Sequence, residues 1–250
     1  MADLVTYDIA DGVAHLELNR PDVANALDLP LARALRAGID RAGSDSGVRA
    51  VLVTGAGKRF CAGGDVASFV ASEEPPKYLM DLALEADAAT RALADLAKPV
   101  VAAVHGAVAG AGLAVMLSCD LVVAQTGTKF VFAYPSIGLT PDCGLSQLLP
   151  RAVGQQRALS FALLGKPASV DEALAWGLIA EGSDDAATRA RELAVECAAG
   201  PARALGETRR LLRRGWETDR VDAGAEEART ISEMVTDPSA RELIRRFVDG

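Results

Sequence analysis

Val100-Val101-Ala102-Ala103-Val104-His105-Gly106-Ala107-Val108-Ala109-Gly110-Ala111-Gly112-Leu113-Ala114-Val115-Met116-Leu117-Ser118-Cys119-Asp120-Leu121-Val122-Val123-Ala124 reads as three elements in succession. Val100 to Val104 is a buried strand, about Gly110 to Ser118 a helix of small residues, and Leu121 to Ala124 the next strand. Strand, crossover helix, strand is the unit of a parallel α/β layer. The run is not a membrane span, because His105 and three glycines interrupt it and Asp120 closes it.

Working outward, Val48 to Thr54 is another buried strand and about Tyr78 to Leu96 a second crossover helix. Val5-Thr6-Tyr7-Asp8-Ile9 and Ala14-His15-Leu16-Glu17-Leu18 alternate apolar and polar residues around Asp11-Gly12, the pattern of a hairpin. Asp28 is placed to cap a helix reaching Ala42, with Pro30 in its first turn. After residue 150 helix signals dominate, among them the capping box Ser169-Val170-Asp171-Glu172 with Gly177 as a stop. The expected organisation is an α/β core over residues 1–200 and a helical C-terminal subdomain over 201–250.

The chain has 250 residues, half of them hydrophobic, enough for one large domain without a metal or disulfide. Its 26 basic and 34 acidic side chains give a net charge of −8, which argues against a nucleic-acid partner. Arg203 to Gly250 holds ten of each sign, so the acidity lies in residues 1–202. Residues 1–20 carry four carboxylates and no apolar h-region, so neither a secretory leader nor a membrane partner is expected, and the location expected is the cytoplasm. The four cysteines form no C-x-x-C pair. With His15 and His105 the only imidazoles, acid–base chemistry falls to carboxylates, Tyr, Lys or Cys, and no metal centre is expected.

Three loops invite a chemical reading. Gly55 to Asp65 is glycine-rich after a strand but lacks the spacing of a phosphate loop; Gly63-Gly64 leaves backbone amides open to a ligand carbonyl. Gly106 to Gly112 lacks the third glycine of a dinucleotide fingerprint, yet small residues at a helix N-terminus suit a developing oxyanion. In Phe132 to Arg151, Asp142 reads either as the cap of a following helix or as a functional carboxylate, and Cys143 has no histidine nearby to activate it. Arg209, Arg210, Arg213 and Arg214 read as a solvated helix face, with a phosphate contact as the alternative.

In this order the motifs resemble the crotonase superfamily, the enoyl-CoA hydratase/isomerase family, over essentially the whole chain. The likeness rests on Asn19-Arg20-Pro21 with Asn25-Ala26-Leu27, Phe60 to Asp65, Gly106 to Gly112 with Cys119-Asp120, and Gly138 to Asp142 with Leu149-Pro150-Arg151. It implies a core of repeated ββα units, a helical C-terminal trimerisation region, a homotrimer or dimer of trimers, and an acyl-CoA thioester as substrate with no further cofactor. Carried over by residue, the oxyanion hole falls on the N–H groups of Gly64 and Ala111. Ala24, Ala26, Ala62, Asp65 and Val66 fall along the CoA path, and Tyr134 and Leu139 by the acyl group.

Two departures bear on the reaction. Where hydratases of this family carry two glutamates, this chain has Ala114 and Tyr134; after Pro141, where they carry glycine, it has Asp142. Pro141-Asp142-Cys143-Gly144 is similar to the phenylacetate-pathway ring isomerase and to enoyl-CoA isomerases. The resemblance therefore implies an isomerase in which Asp142 moves a proton from the carbon alpha to the thioester to C4, in a pocket of Phe132, Tyr134, Ile137 and Leu139. The alternatives are a hydratase-like lyase and a CoA-thioester binding protein without turnover. A dehalogenase would need a histidine in residues 78–97, and none is there. In so acidic a chain, CoA phosphates would meet local donors such as Lys58, Arg59 or a neighbouring subunit's helix.

Overall fold

A computed structural model describes residues 3–250; Met1 and Ala2, part of the segment read for a leader, lie outside the described residues. Strands β1 (Val5–Ala10) and β2 (Val13–Leu18) form the expected antiparallel hairpin, with Tyr7 opposite Leu16. Helix α1 (Leu29–Ser44) is capped by Asp28, whose Oδ1 accepts from the Leu31 amide at 2.8 Å. Strand β3 (Ala50–Gly55) leads through α2 (Val66–Val70) and α3 (Pro75–Asp95) to β4 (Val100–Val104). Then come β5 (Ala107–Ala109), α4 (Ala111–Leu117), β6 (Leu121–Gln125) and β7 (Lys129–Val131). Helices α5 (Leu145–Val153), α6 (Gln155–Leu164) and α7 (Val170–Trp176) precede β8 (Glu181–Ser183). The chain ends in α8 (Ala186–Ala199), α9 (Ala202–Arg214), α10 (Arg220–Met234) and α11 (Pro238–Asp249).

The main sheet has the order β1-β2-β3-β4-β6-β8, parallel everywhere except β1–β2. Strand β4 is buried along its whole length because both faces are covered, which is why it reads as an unbroken apolar run. The alternation of its side chains is still visible in the packing. Val100, Ala102 and Val104 join the large core under α1, α3, α4 and α5, whereas Val101 and Ala103 meet α8 on the other face. Ala186, Ala190, Ala194 and Ala198 recur every fourth residue along α8, and this stripe of small side chains lets the helix lie close over β3, β4 and β6.

The structure differs from the sequence reading in four places. The loop Gly106–Gly112 contains a strand, β5, which pairs parallel with β7 as a small second sheet. Strand β8 extends the main sheet beyond residue 150, where only helices were expected. Asp142 caps no helix: α5 begins at Leu145 after Gly144, and no side chain caps it. Of the α9 arginines read as a solvated face, Arg209, Arg210 and Arg213 are held by carboxylates and Arg214 is exposed. Arg209 is buried and donates from Nε to Asp120 Oδ2 at 2.5 Å and to the Leu93, Ala94 and Leu96 carbonyls; Arg213 also holds Asp120, and Arg210 pairs with Glu207 and Glu226. No helix among the described residues is long and apolar enough to cross a membrane.

Candidate active site

The site is assembled where three loops at the ends of the parallel strands are tied together. Asn25 is the knot of the first two. It is fully buried with φ of 53°, a left-handed conformation that asparagine tolerates, and its Oδ1 accepts from the Arg20 amide at 2.8 Å. Its Nδ2 donates to the Ala56 and Arg59 carbonyls at 2.9 and 2.8 Å. Arg20 completes the tie, reaching the Ala26 carbonyl and the carboxylates of Asp28 and Asp65 at 3.1 and 3.0 Å. The motif Asn19 to Leu27 is therefore a scaffold that fixes the loop after β3.

That loop is joined in turn to the start of α4. The Ala109 amide donates to the Cys61 carbonyl at 3.0 Å, and Cys61 and Val108 form a parallel bridge. Gly112 permits the contact, since a Cβ there would stand 2.5 Å from the Cys61 oxygen and 2.9 Å from its Cβ. Gly63, at φ of 104°, packs against Ala109 and Gly110 in a conformation that L side chains rarely adopt. The turn at Gly64 is thus brought beside the first turn of α4. Neither the Gly64 nor the Ala111 amide donates a hydrogen bond among the described residues. Two free amides, one of them at a helix N-terminus, are suited to hold a carbonyl oxygen that gains negative charge.

The third loop supplies the carboxylate. Tyr134 lies in a short 3-10 turn, Tyr134–Ile137, and its ring faces Gly110: a Cβ on Gly110 would be 3.9 Å from Tyr134 Cζ. Phe132 packs on Tyr134 at 5.4 Å between centroids, and Phe161 and Trp176 continue the aromatic column. Tyr134 Oη donates to Asp142 Oδ1 at 2.5 Å. Burial, and next the Asp142 charge, push the Tyr134 phenol far above its usual range, so it stays protonated. The same two causes raise the Cys143 thiol, which removes Cys143 as a nucleophile.

Gly64, Ala111, Asp142 and Tyr134 are therefore gathered in one place, and Leu139, half-buried, is held to Tyr134 by its amide at 3.0 Å. Ile137, on the same 3-10 turn as Tyr134, is 53% exposed. Ala24, Ala26, Ala62 and Asp65 line the adjoining loop pair: the Ala62 amide donates to Ala24 and the Asp65 amide to Leu27. Asp65 spends its carboxylate on Arg20 and on the cap of α2, and Val66 opens that helix exposed. Lys58 and Arg59 are exposed at the edge of the same loop. The role of Arg20 and Asn25 in holding these loops was not read from the sequence, although their motif was; the signal available was an asparagine among apolar residues.

The profile of the enoyl-CoA hydratase/isomerase family matches residues 8–249. The chain belongs to that family. An enoyl-CoA hydratase/isomerase family relative, the 1,2-epoxyphenylacetyl-CoA isomerase of Escherichia coli, is 36% identical over 226 residues, covering 89% of this chain and 86% of that one. The trans-2-decenoyl-[acyl-carrier-protein] isomerase of Streptococcus mutans is 34% identical over 70% of this chain and 67% of its own. A crystal structure of an enoyl-CoA hydratase from Mycobacterium smegmatis superposes with a TM-score of 0.92 at 30% identity, covering 98% of this chain and 96% of that one. This is a crotonase-superfamily fold carrying enoyl-CoA hydratase/isomerase chemistry; its relatives bear names of both reactions.

Proposed function

We propose that the protein is an acyl-CoA isomerase that shifts a double bond, or rearranges a ring epoxide, through one enolate intermediate. Asp142 takes the proton alpha to the thioester, and the electron pair flows to the carbonyl oxygen held by the Gly64 and Ala111 amides. For a 3-enoyl-CoA the same proton returns from Asp142 to C4, and the carbonyl re-forms with the double bond between C2 and C3. The step is redox-neutral and consumes no cofactor.

The observation that carries this reading is the state of the carboxylates. Asp65 is paired with Arg20 and Asp87 with Arg91, whereas Asp142 is held by a neutral phenol. The positions where a second carboxylate would orient water are Ala114, fully buried, and Tyr134, already bonded to Asp142. A single free carboxylate suits proton transfer between two carbons better than activation of water. We also assign a cytoplasmic homotrimer or dimer of trimers, supported by the exposed apolar side chains Leu212, Trp216, Val221, Ile231 and Phe247 on the last helices and in the α9–α10 turn.

A panel of 3-enoyl, 2-enoyl, dienoyl and ring-epoxide CoA thioesters, read by mass spectrometry and NMR, tests the reaction class. Isomeric product without mass change is expected. Addition of water to 2-enoyl-CoA as the main activity would replace the isomerase by a hydratase, and binding without any product would make the chain a CoA-thioester carrier.

A further inference from the structure

Asp142 sits in irregular chain between the 3-10 turn and α5, where no regular backbone hydrogen bonding fixes its side chain. A carboxylate asked to collect a proton at one carbon and deliver it to another has to keep one oxygen free and aimed. Tyr134 Oη occupies Oδ1 at 2.5 Å, and no N–H or O–H group donates to Oδ2 among the described residues. The same tyrosine ring lies against Gly110, next to the Ala111 amide, so one rigid side chain touches both the proton carrier and the turn that holds the oxyanion.

We infer that Tyr134 is the positioning residue of Asp142: its phenol fixes Oδ1, leaves Oδ2 as the oxygen that carries the proton, and sets the distance between carboxylate and oxyanion turn. The inference rests on Asp142 being the acid–base group. Its ring is itself wedged by Phe132, which is backed by Phe161 and Trp176, so the hydroxyl is delivered from a packed column and not from a mobile loop. The other titratable groups around the pair are Cys143, Cys61 and, from α3, Asp87. Asp87 is paired with Arg91 at 2.8 Å, and both thiols are kept neutral by burial; the Cys143 S–H is a weak donor to the Asp142 carboxylate, which leaves the Tyr134 hydroxyl as its strong one.

The test compares Tyr134→Phe, Asp142→Asn and the parent enzyme on cis-3-hexenoyl-CoA. Removing the hydroxyl while keeping the ring is expected to lower kcat roughly 10- to 100-fold with KM within about threefold. Thermal unfolding of Tyr134→Phe shows whether the column has survived, and Tyr134→Trp, which keeps an aromatic ring and an N–H donor, should recover part of kcat. If Asp142→Asn is inactive while Tyr134→Phe keeps the parent kcat, the positioning role is wrong and the carboxylate role stands. If Asp142→Asn keeps the parent activity, the acid–base reading fails first.

Discussion

Gly112 and Cys61 are in backbone contact: a methyl group on Gly112 would lie 2.5 Å from the Cys61 carbonyl oxygen and 3.1 Å from its sulfur. This closeness brings the loop after β3 to the N-terminus of α4, and with it the Gly64 amide to the Ala111 amide.

Gly112→Ala therefore has to push the two loops apart. Overpacking of this kind costs about 1–3 kcal/mol, and loss of one aligned oxyanion donor costs about 10²–10³ in turnover. Urea unfolding and acyl-CoA kinetics on the same preparation should show both effects; unchanged turnover would mean that the Ala111 amide is not a donor to the substrate.

The contact between α9 and the turn before β6 is electrostatic. Arg209 is 6% exposed and Asp120 22%, and Asp120 also accepts from the Val100 amide at 2.8 Å. Asp120→Ala leaves the Arg209 guanidinium buried without its partner, for which the expected destabilisation is about 3–5 kcal/mol. Arg229→Ala, which removes an exposed pair with Glu226, is expected to cost about 0–1 kcal/mol. Equal effects of the two would remove the distinction between them.

His15 on β2 bonds Thr54 on β3 at 2.8 Å, and burial lowers its pKa below the ordinary 6.5 despite the opposing pull of Asp8. The unfolded chain then binds a proton that the folded one resists. Stability from this group is complete above about pH 6.5 and falls as the pH drops from there through the lowered native value. His15→Gln, which keeps a hydrogen-bonding group without a charge in this range, should flatten that part of the curve of unfolding free energy against pH; an unaltered curve would show that another group sets it.

Much of this was legible in the chain. The run from Val100 to Ala124 declares its strands because both faces are buried, and Asp28 and Ser169 declare their helices because caps are local. Strands β5, β7 and β8 were not legible: each has three residues and is stabilised by partners distant in sequence. The same holds for Arg209, whose carboxylate lies 89 positions away; for Asp142 the residues alone left a cap or a functional carboxylate open, the family resemblance favoured the carboxylate, and the bond from Tyr134 appears only in the fold. Glycine spacing marked the oxyanion loops, but only packing showed which glycines touch.

Cysteine reactivity gives a separate check on the site. Burial pushes the Cys61 thiol up to about 11 and Cys119 up to about 12, and Cys143 is raised further, while Cys197 is half-buried. Limited treatment of the native protein with iodoacetamide should label Cys197 first, with the other three labelled after denaturation. Labelling of Cys143 in the native protein at the rate of Cys197 would show an open site.

The central claim is that Asp142 carries the proton, and its most direct measurement is the single-turnover rate of 3-enoyl-CoA isomerisation by Asp142→Ala, with acyl-CoA binding measured in parallel. A loss of about 10²–10⁴ in rate with binding retained is the expected result. A rate within a few-fold of the parent enzyme would contradict the account.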